Sequence, residues 1–229
     1  MSSRPGRFPW RLPLLAVVLA AACARPPAAV EANTAPIPTA PDSVAARLLA
    51  DVRDIDSTIR VEARYFTSNN FTGARLAGYQ ANRALLRREA AVALGKVQQR
   101  LARQGLGLLV YDGYRPVRGT QAMVEWAERT GRVSLLDDGY IARRSRHNMG
   151  VAVDLTVVSL AIGEPLDMGT PFDTFDESAH TANATGEVAR NRSVLVDAME
   201  AEGFVNYEQE WWHFSFEVSH PVPFDMPVR

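Results

Sequence analysis

Three short stretches of this 229-residue chain concentrate side chains able to do chemistry. They are Ser145-Arg146-His147-Asn148-Met149-Gly150-Val151-Ala152-Val153-Asp154, then Glu210-Trp211-Trp212-His213, and Asp112-Gly113-Tyr114-Arg115-Pro116. Two histidines and an aspartate suit Zn2+, which accepts imidazole nitrogen and carboxylate oxygen and keeps a fourth position for water in catalytic sites. Water on such an ion ionises near pH ~7, giving a nucleophile at neutral pH. Glu210 lies just before His213 and has the reach to take that water's proton as general base. Arg115 offers a cation for the oxyanion of a tetrahedral intermediate. Residue type and spacing therefore point to metal-assisted hydrolysis by His147, Asp154 and the Glu210/His213 pair, with Arg115 in support.

These residues converge only if the chain turns between the first two. Gly150 and the β-branched residues after it argue against one helix carrying both His147 and Asp154. His147 is expected in a turn leading into a strand, and Asp154 within that strand. On a regular strand the two would face opposite sides, so Asn148 to Gly150 must bend the chain. Around them, the spacing predicts a helix from Asp42-Ser43 to about Asp56, and a long amphipathic helix over Gln80–Gln104 with Leu86, Ala90, Ala93, Val97 and Leu101 on one face. Leu106–Tyr111 reads as a strand, Thr120–Arg129 as a helix and Val151–Val158 as a buried strand. Thr185 is a cap for a helix over Gly186–Glu202, and Phe204–Tyr207 with Trp211–Val218 forms an antiparallel pair. Helices lead and strands trail, so the fold class is α+β: helices packed on a small, mostly antiparallel sheet that carries the metal site.

With 25 basic against 26 acidic residues, 47% apolar and 22% charged, the composition is that of a globular domain. Net charge near zero, with no dense arginine cluster, gives no basis for nucleic-acid binding. A single cysteine excludes an internal disulfide and a Cys-rich metal cluster. Arg4, Arg7 and Arg11 precede an apolar run, Leu12–Ala22, too short to span a bilayer but suited to a signal peptide. The run ends in Leu19-Ala20-Ala21-Ala22-Cys23, which resembles a bacterial lipobox, with Cys23 as the lipidation site. Five prolines within residues 24–41 read as an extended tether. The expected organisation is a lipoprotein signal peptide over 1–22, a lipidated Cys and tether over 23–41, and a catalytic domain over 42–229. Export to the periplasm follows, with membrane attachment through the lipid alone.

The string Ser145-x-His147-x-x-Gly150-x-Ala152-x-Asp154, followed by Glu210-x-x-His213, resembles the signature of the zinc D,D-peptidases of the M15 group. Asp112-Gly113-Tyr114-Arg115-Pro116, Asn70-Phe71-Thr72-Gly73, Asp167-Met168-Gly169-Thr170-Pro171-Phe172-Asp173 and Trp211-Trp212-His213-Phe214 extend the likeness, most closely to the VanX-type D-alanyl-D-alanine dipeptidase branch. It covers about Ile59 to the C-terminus. The resemblance implies one zinc ion on His147, Asp154 and His213, Glu210 as general base and Arg115 as stabiliser of the intermediate. It further implies that Asp173 and Ser145 hold the substrate's free ammonium and that Tyr65 lines the pocket. The implied substrate is the dipeptide D-Ala-D-Ala, turned over in the cell envelope. Two other expectations stand beside it: a D,D-carboxypeptidase trimming peptidoglycan stems, and a non-catalytic wall-binding lipoprotein. The sequence does not specify an oligomeric state.

Overall fold

Val153, Leu155 and Val157 alternate with Asp154, Thr156 and Val158 along one strand, and this alternation separates a helix-covered core from the site. The computed structural model describes residues 36–229; the expected signal peptide, the expected lipidation site Cys23 and the expected tether as far as residue 35 lie outside the described residues. In chain order the elements are α1 (Asp42–Leu48), β1 (Leu49–Asp51), α2 (Val52–Ile55), β2 (Arg60–Val61), β3 (Leu85–Arg87), α3 (Arg88–Ala102), β4 (Leu106–Asp112), α4 (Val117–Arg129), α5 (Ser134–Asp137), β5 (Ala152–Ser159), α6 (Gly186–Glu200), β6 (Phe204–Asn206) and β7 (His213–Phe216). Short 3-10 turns cover Arg64–Phe66, Arg146–Met149 and Glu177–Ala179. The main sheet runs β2-β4-β5-β7-β6, antiparallel except for the β2–β4 pair. A separate two-stranded sheet joins β1 to β3. The fold is α+β.

On one face of the main sheet, Leu108, Val110, Val153, Leu155, Val157 and Phe214 pack against Ala90, Leu94, Val97 and Leu101 of α3 and Leu195, Ala198 and Met199 of α6. Fully burying one such aliphatic side chain contributes about 1.5–3 kcal/mol, so this face holds much of the stability. A second apolar cluster gathers α1, α4 and the C-terminal segment around Tyr65, Tyr79, Tyr114, Trp126 and Phe224.

Several boundaries differ from the sequence expectation, each for a non-local reason. The helix expected from Asp42 to Asp56 breaks at Leu49–Asp51, because those residues pair with Leu85–Arg87. The Asp51 carboxylate then accepts from Arg53 N and starts α2. The same pairing removes the first turns of the helix expected from Gln80, and α3 begins only at Arg88. Asp42 lies inside α1, whose N-cap is Pro41, and Thr185 makes no side-chain cap bond. Ala40 N donates to Pro223 O at 2.9 Å, so the fold takes in residue 40. The expected strand over Trp211–Val218 shortens to His213–Phe216, because the residues before it form a turn in which His213 N donates to Glu210 O. Helices and strands interleave along the chain.

Gly150 closes the Arg146–Met149 turn with φ +68°, a left-handed conformation that only glycine adopts without cost. A Cβ there would stand 2.5 Å from Leu49 Cδ2 and 3.2 Å from the Arg87 backbone nitrogen. Gly150→Ala is therefore expected to destabilise the fold by about 2–4 kcal/mol, read as a lowered midpoint in denaturant unfolding.

Candidate active site

The bend demanded between His147 and Asp154 is the 3-10 turn. Ser145 Oγ accepts from His147 N at 3.2 Å, and Asn148 Oδ1 accepts from Ser145 N at 3.2 Å. Asn148 Nδ2 donates to Arg115 O and to Thr120 Oγ1, both at 2.9 Å, tying the turn to the start of α4. Asp154 pairs across the sheet with His213, so the two side chains share a face. A β-bulge adds the third strand. The register runs Val110 to Leu155 and then Asp112 to Asp154, leaving Tyr111 as the extra residue. Without the bulge Asp112 would follow Leu108 and Val110 into the core; with it, Asp112 joins Asp154 on the site face.

The three expected ligands converge. His147 Nε2 lies 3.3 Å from Asp154 Oδ2 and 3.2 Å from His213 Nδ1, and His213 Nδ1 lies 2.9 Å from Asp154 Oδ1. One ligand atom from each residue falls within 4.8 Å of the other two. His147 Nδ1–H donates to Gly113 O at 2.7 Å, which leaves Nε2 with its lone pair toward the cluster. Burial pushes the His213 imidazole toward its neutral form, the form that ligates. Burial works against charge on Asp154, yet the two imidazoles hold its carboxyl below the ordinary range. Two imidazoles and one carboxylate, each fixed by its strand or turn, are a donor set that fits a divalent metal with an open position.

Glu210 stands beside this cluster, with Oε2 3.8 Å from His213 Nδ1 and 8% of its surface exposed. Burial, reinforced by the charges of Asp154 and Asp173, raises its carboxyl well above the usual range, which makes it a strong proton acceptor once a neighbouring cation holds it ionised. Arg115 is buried between two carboxylates: Nε donates to Asp112 Oδ2 at 2.9 Å, and an Nη lies 3.7 Å from Asp154 Oδ2. Its guanidinium carbon is 5.0 Å from the centre of the Tyr65 ring. The side chain is at once a clamp on the Asp112 turn and part of the cavity wall.

The cavity holds about 300 Å3 and is lined by His147, Asp154, His213, Glu210, Arg115, Ser145, Asp173 and Tyr65, with Phe71, Met123, Phe175 and Trp212 as apolar walls. Every expected site residue among the described residues reaches it. Tyr65 OH donates to Asp173 Oδ1 and Oδ2 at 3.0 and 3.2 Å. Burial and the Asp154 charge push the Asp173 carboxyl up to about 8. His180 stays out of the cluster; its Nε2 lies 3.1 Å from Tyr140 OH. Trp212 lines the cavity, while the Trp211 indole N–H donates to Thr170 Oγ1 on its far side.

Sequence reading missed three contributors. Asp112 anchors Arg115, lies 3.6 Å from His147 Nδ1, and accepts from Tyr79 OH at 2.6 Å. Tyr140 and Tyr207 line the cavity. For Asp112 a signal was present, since an acidic residue at a strand end three before a buried arginine invites pairing. The tyrosines carried none.

The chain matches the family described as D-ala-D-ala dipeptidase over residues 45–223. Curated relatives named D-alanyl-D-alanine dipeptidase match at similar breadth. One from Enterococcus faecium is 39% identical over 75% of this chain and 93% of its own length. One from Streptomyces coelicolor is 38% identical over 78% and 97%. One from Escherichia coli is 34% identical over 76% and 88%. The family match, which spans His147, Asp154 and His213, together with the breadth of the relatives' similarity, places the chain in the M15 D-Ala-D-Ala dipeptidase family.

Proposed function

We propose that this protein hydrolyses the free dipeptide D-Ala-D-Ala with one zinc ion held by His147, Asp154 and His213. The observation that carries this reading is that one cavity of about 300 Å3 is lined both by the metal-ligand cluster and by the hydrogen-bonded Asp173–Tyr65 pair. A dipeptide offers one ammonium and one carboxylate to such a space. When bound, zinc supplies an activated water as nucleophile at neutral pH. Glu210 takes that water's proton and delivers it to the leaving amine. Arg115 faces the charge that develops on the scissile carbonyl. Asp173, with Tyr65 donating to it and Ser145 alongside, receives the substrate's ammonium. A longer or acylated substrate offers Asp173 no cation, so the ion pair that would draw its raised carboxyl into the charged form is lost.

Asp173→Ala is expected to lower kcat/KM for D-Ala-D-Ala by about 10²-fold, as expected when a charge-paired contact worth roughly 3 kcal/mol is lost, with zinc content unchanged. The wild type should turn over the N-acetylated dipeptide poorly. Equal kcat/KM for free and acetylated forms would reassign the protein to carboxypeptidase chemistry.

We further propose that the protein works in the periplasm, anchored through Cys23, with residues 24–39 as a spacer. This rests on Arg4, Arg7 and Arg11, the apolar run and the small residues before the sole cysteine. One acyl chain binds membranes only marginally, so anchoring requires the several chains of a mature lipoprotein. The wild type should fractionate with membranes and Cys23→Ser should appear in the soluble fraction or remain unprocessed; recovery of the wild type wholly in the soluble periplasm would instead show plain secretion.

A further inference from the structure

Arg192, on α6, is 2% exposed and takes no part in the metal cluster. Its guanidinium donates only to backbone carbonyls: Nε to Met168 O at 2.9 Å, one Nη to His180 O at 2.6 Å, the other to Ser178 O at 3.0 Å. Those carbonyls lie on both sides of a single excursion of chain, residues 169–177, whose tip is Phe172-Asp173. A buried guanidinium has a rigid fork of donors, and here the fork closes the base of that excursion. Desolvation lowers the Arg192 pKa, and the charge of Asp167 offsets only part of that.

The tip needs such a clamp. Asp173 has φ +63°, a conformation that non-glycine residues hold only when their surroundings impose it. Phe172 packs among Tyr65, Tyr111 and Trp212, and Phe175 against Phe71 and Tyr140, so the tip is wedged between aromatic rings on the cavity side. Behind it, Gly169 lies on α6 so closely that a Cβ would meet Val188 Cγ1 at 2.7 Å and an Arg192 Nη at 3.4 Å. The base of the excursion thus rests on Arg192, and its tip carries the carboxylate that receives the ammonium.

We infer that Arg192 is a positioning residue for substrate selectivity: by holding Met168, Ser178 and His180 together it fixes the Asp173 carboxylate at the amine end of the cavity. This rests on the proposed role of Asp173. Lysine keeps the charge but cannot reach three carbonyls in one plane. In the zinc-loaded full chain, Arg192→Lys should retain its zinc, raise KM for D-Ala-D-Ala at least about tenfold, and cut the preference for free over N-acetylated dipeptide by about the same factor. Backbone amides of 170–176 should exchange hydrogen at least about tenfold faster, with Ala152–Ser159 unchanged. In an Asp173→Ala background the same change should add nothing further, as expected of two residues acting through one group. If circular dichroism shows Arg192→Lys unfolded, Arg192→Gln, which removes the buried charge and keeps amide donors, is read by the same measurements. Unchanged KM, preference and exchange, or effects that simply add to those of Asp173→Ala, would overturn the inference. A wild type indifferent to acetylation would overturn the ammonium reading itself, a distinct result.

Discussion

Glu210→Ala is expected to remain folded, bind close to one equivalent of zinc, and hydrolyse D-Ala-D-Ala about 10²–10⁴-fold more slowly than the wild type. Two imidazoles and a carboxylate already make a three-ligand catalytic site, and a fourth protein ligand would close it to water. The Glu210 carboxylate stands outside the trio, 3.8 Å from His213 Nδ1, on a turn and not on the strand that bears the ligand. It sits in the cavity wall, and alanine there supplies no proton acceptor. Elemental analysis beside the rate decides its role, because a Glu210→Ala protein devoid of zinc would make Glu210 a ligand.

His213→Ala should lose metal and activity together. His213 supplies one of only three donors, and its Nδ1 contacts both other ligands. A ligand that binds only the folded state stabilises it by about 2.7 kcal/mol at a hundred times its Kd, and about 4.1 at a thousand times. For a domain of this size that is roughly 5–15 °C between zinc-loaded and chelator-treated wild type in a melting experiment. The difference should vanish in His213→Ala. If His213→Ala keeps the full zinc-dependent shift, the ligand set is wrong.

The chemistry of the site was legible because its determinants are local. Gly150 and the β-branched run after it told a turn from a helix, and the turn brought His147 over Asp154. What the sequence hid depends on partners far along the chain. Leu86 fits the helical spacing of α3, yet it lies in β3 because Leu49–Asp51 pairs with Leu85–Arg87. Strand propensity reflects such neighbours more than the residue itself. The bulge at Tyr111 is likewise invisible in Leu108-Leu109-Val110-Tyr111-Asp112, although it alone turns Asp112 from the core to the site. Tyr79 reaches Asp112 across 33 residues, and Arg192 reaches the 169–177 excursion from a helix that follows it. Both are buried polar side chains whose role is defined only by the group they meet.

The central claim is that this site acts on a free dipeptide through one metal and a carboxylate that measures the amine. Its most direct test is a competition: zinc-loaded protein is given free D-Ala-D-Ala and a stem pentapeptide ending in D-Ala-D-Ala, together and at equal concentration, while D-Ala release from each is followed. The account predicts rapid consumption of the dipeptide with the pentapeptide left nearly intact, since its acylated amine cannot pair with Asp173. Preferential release of D-Ala from the pentapeptide would contradict it.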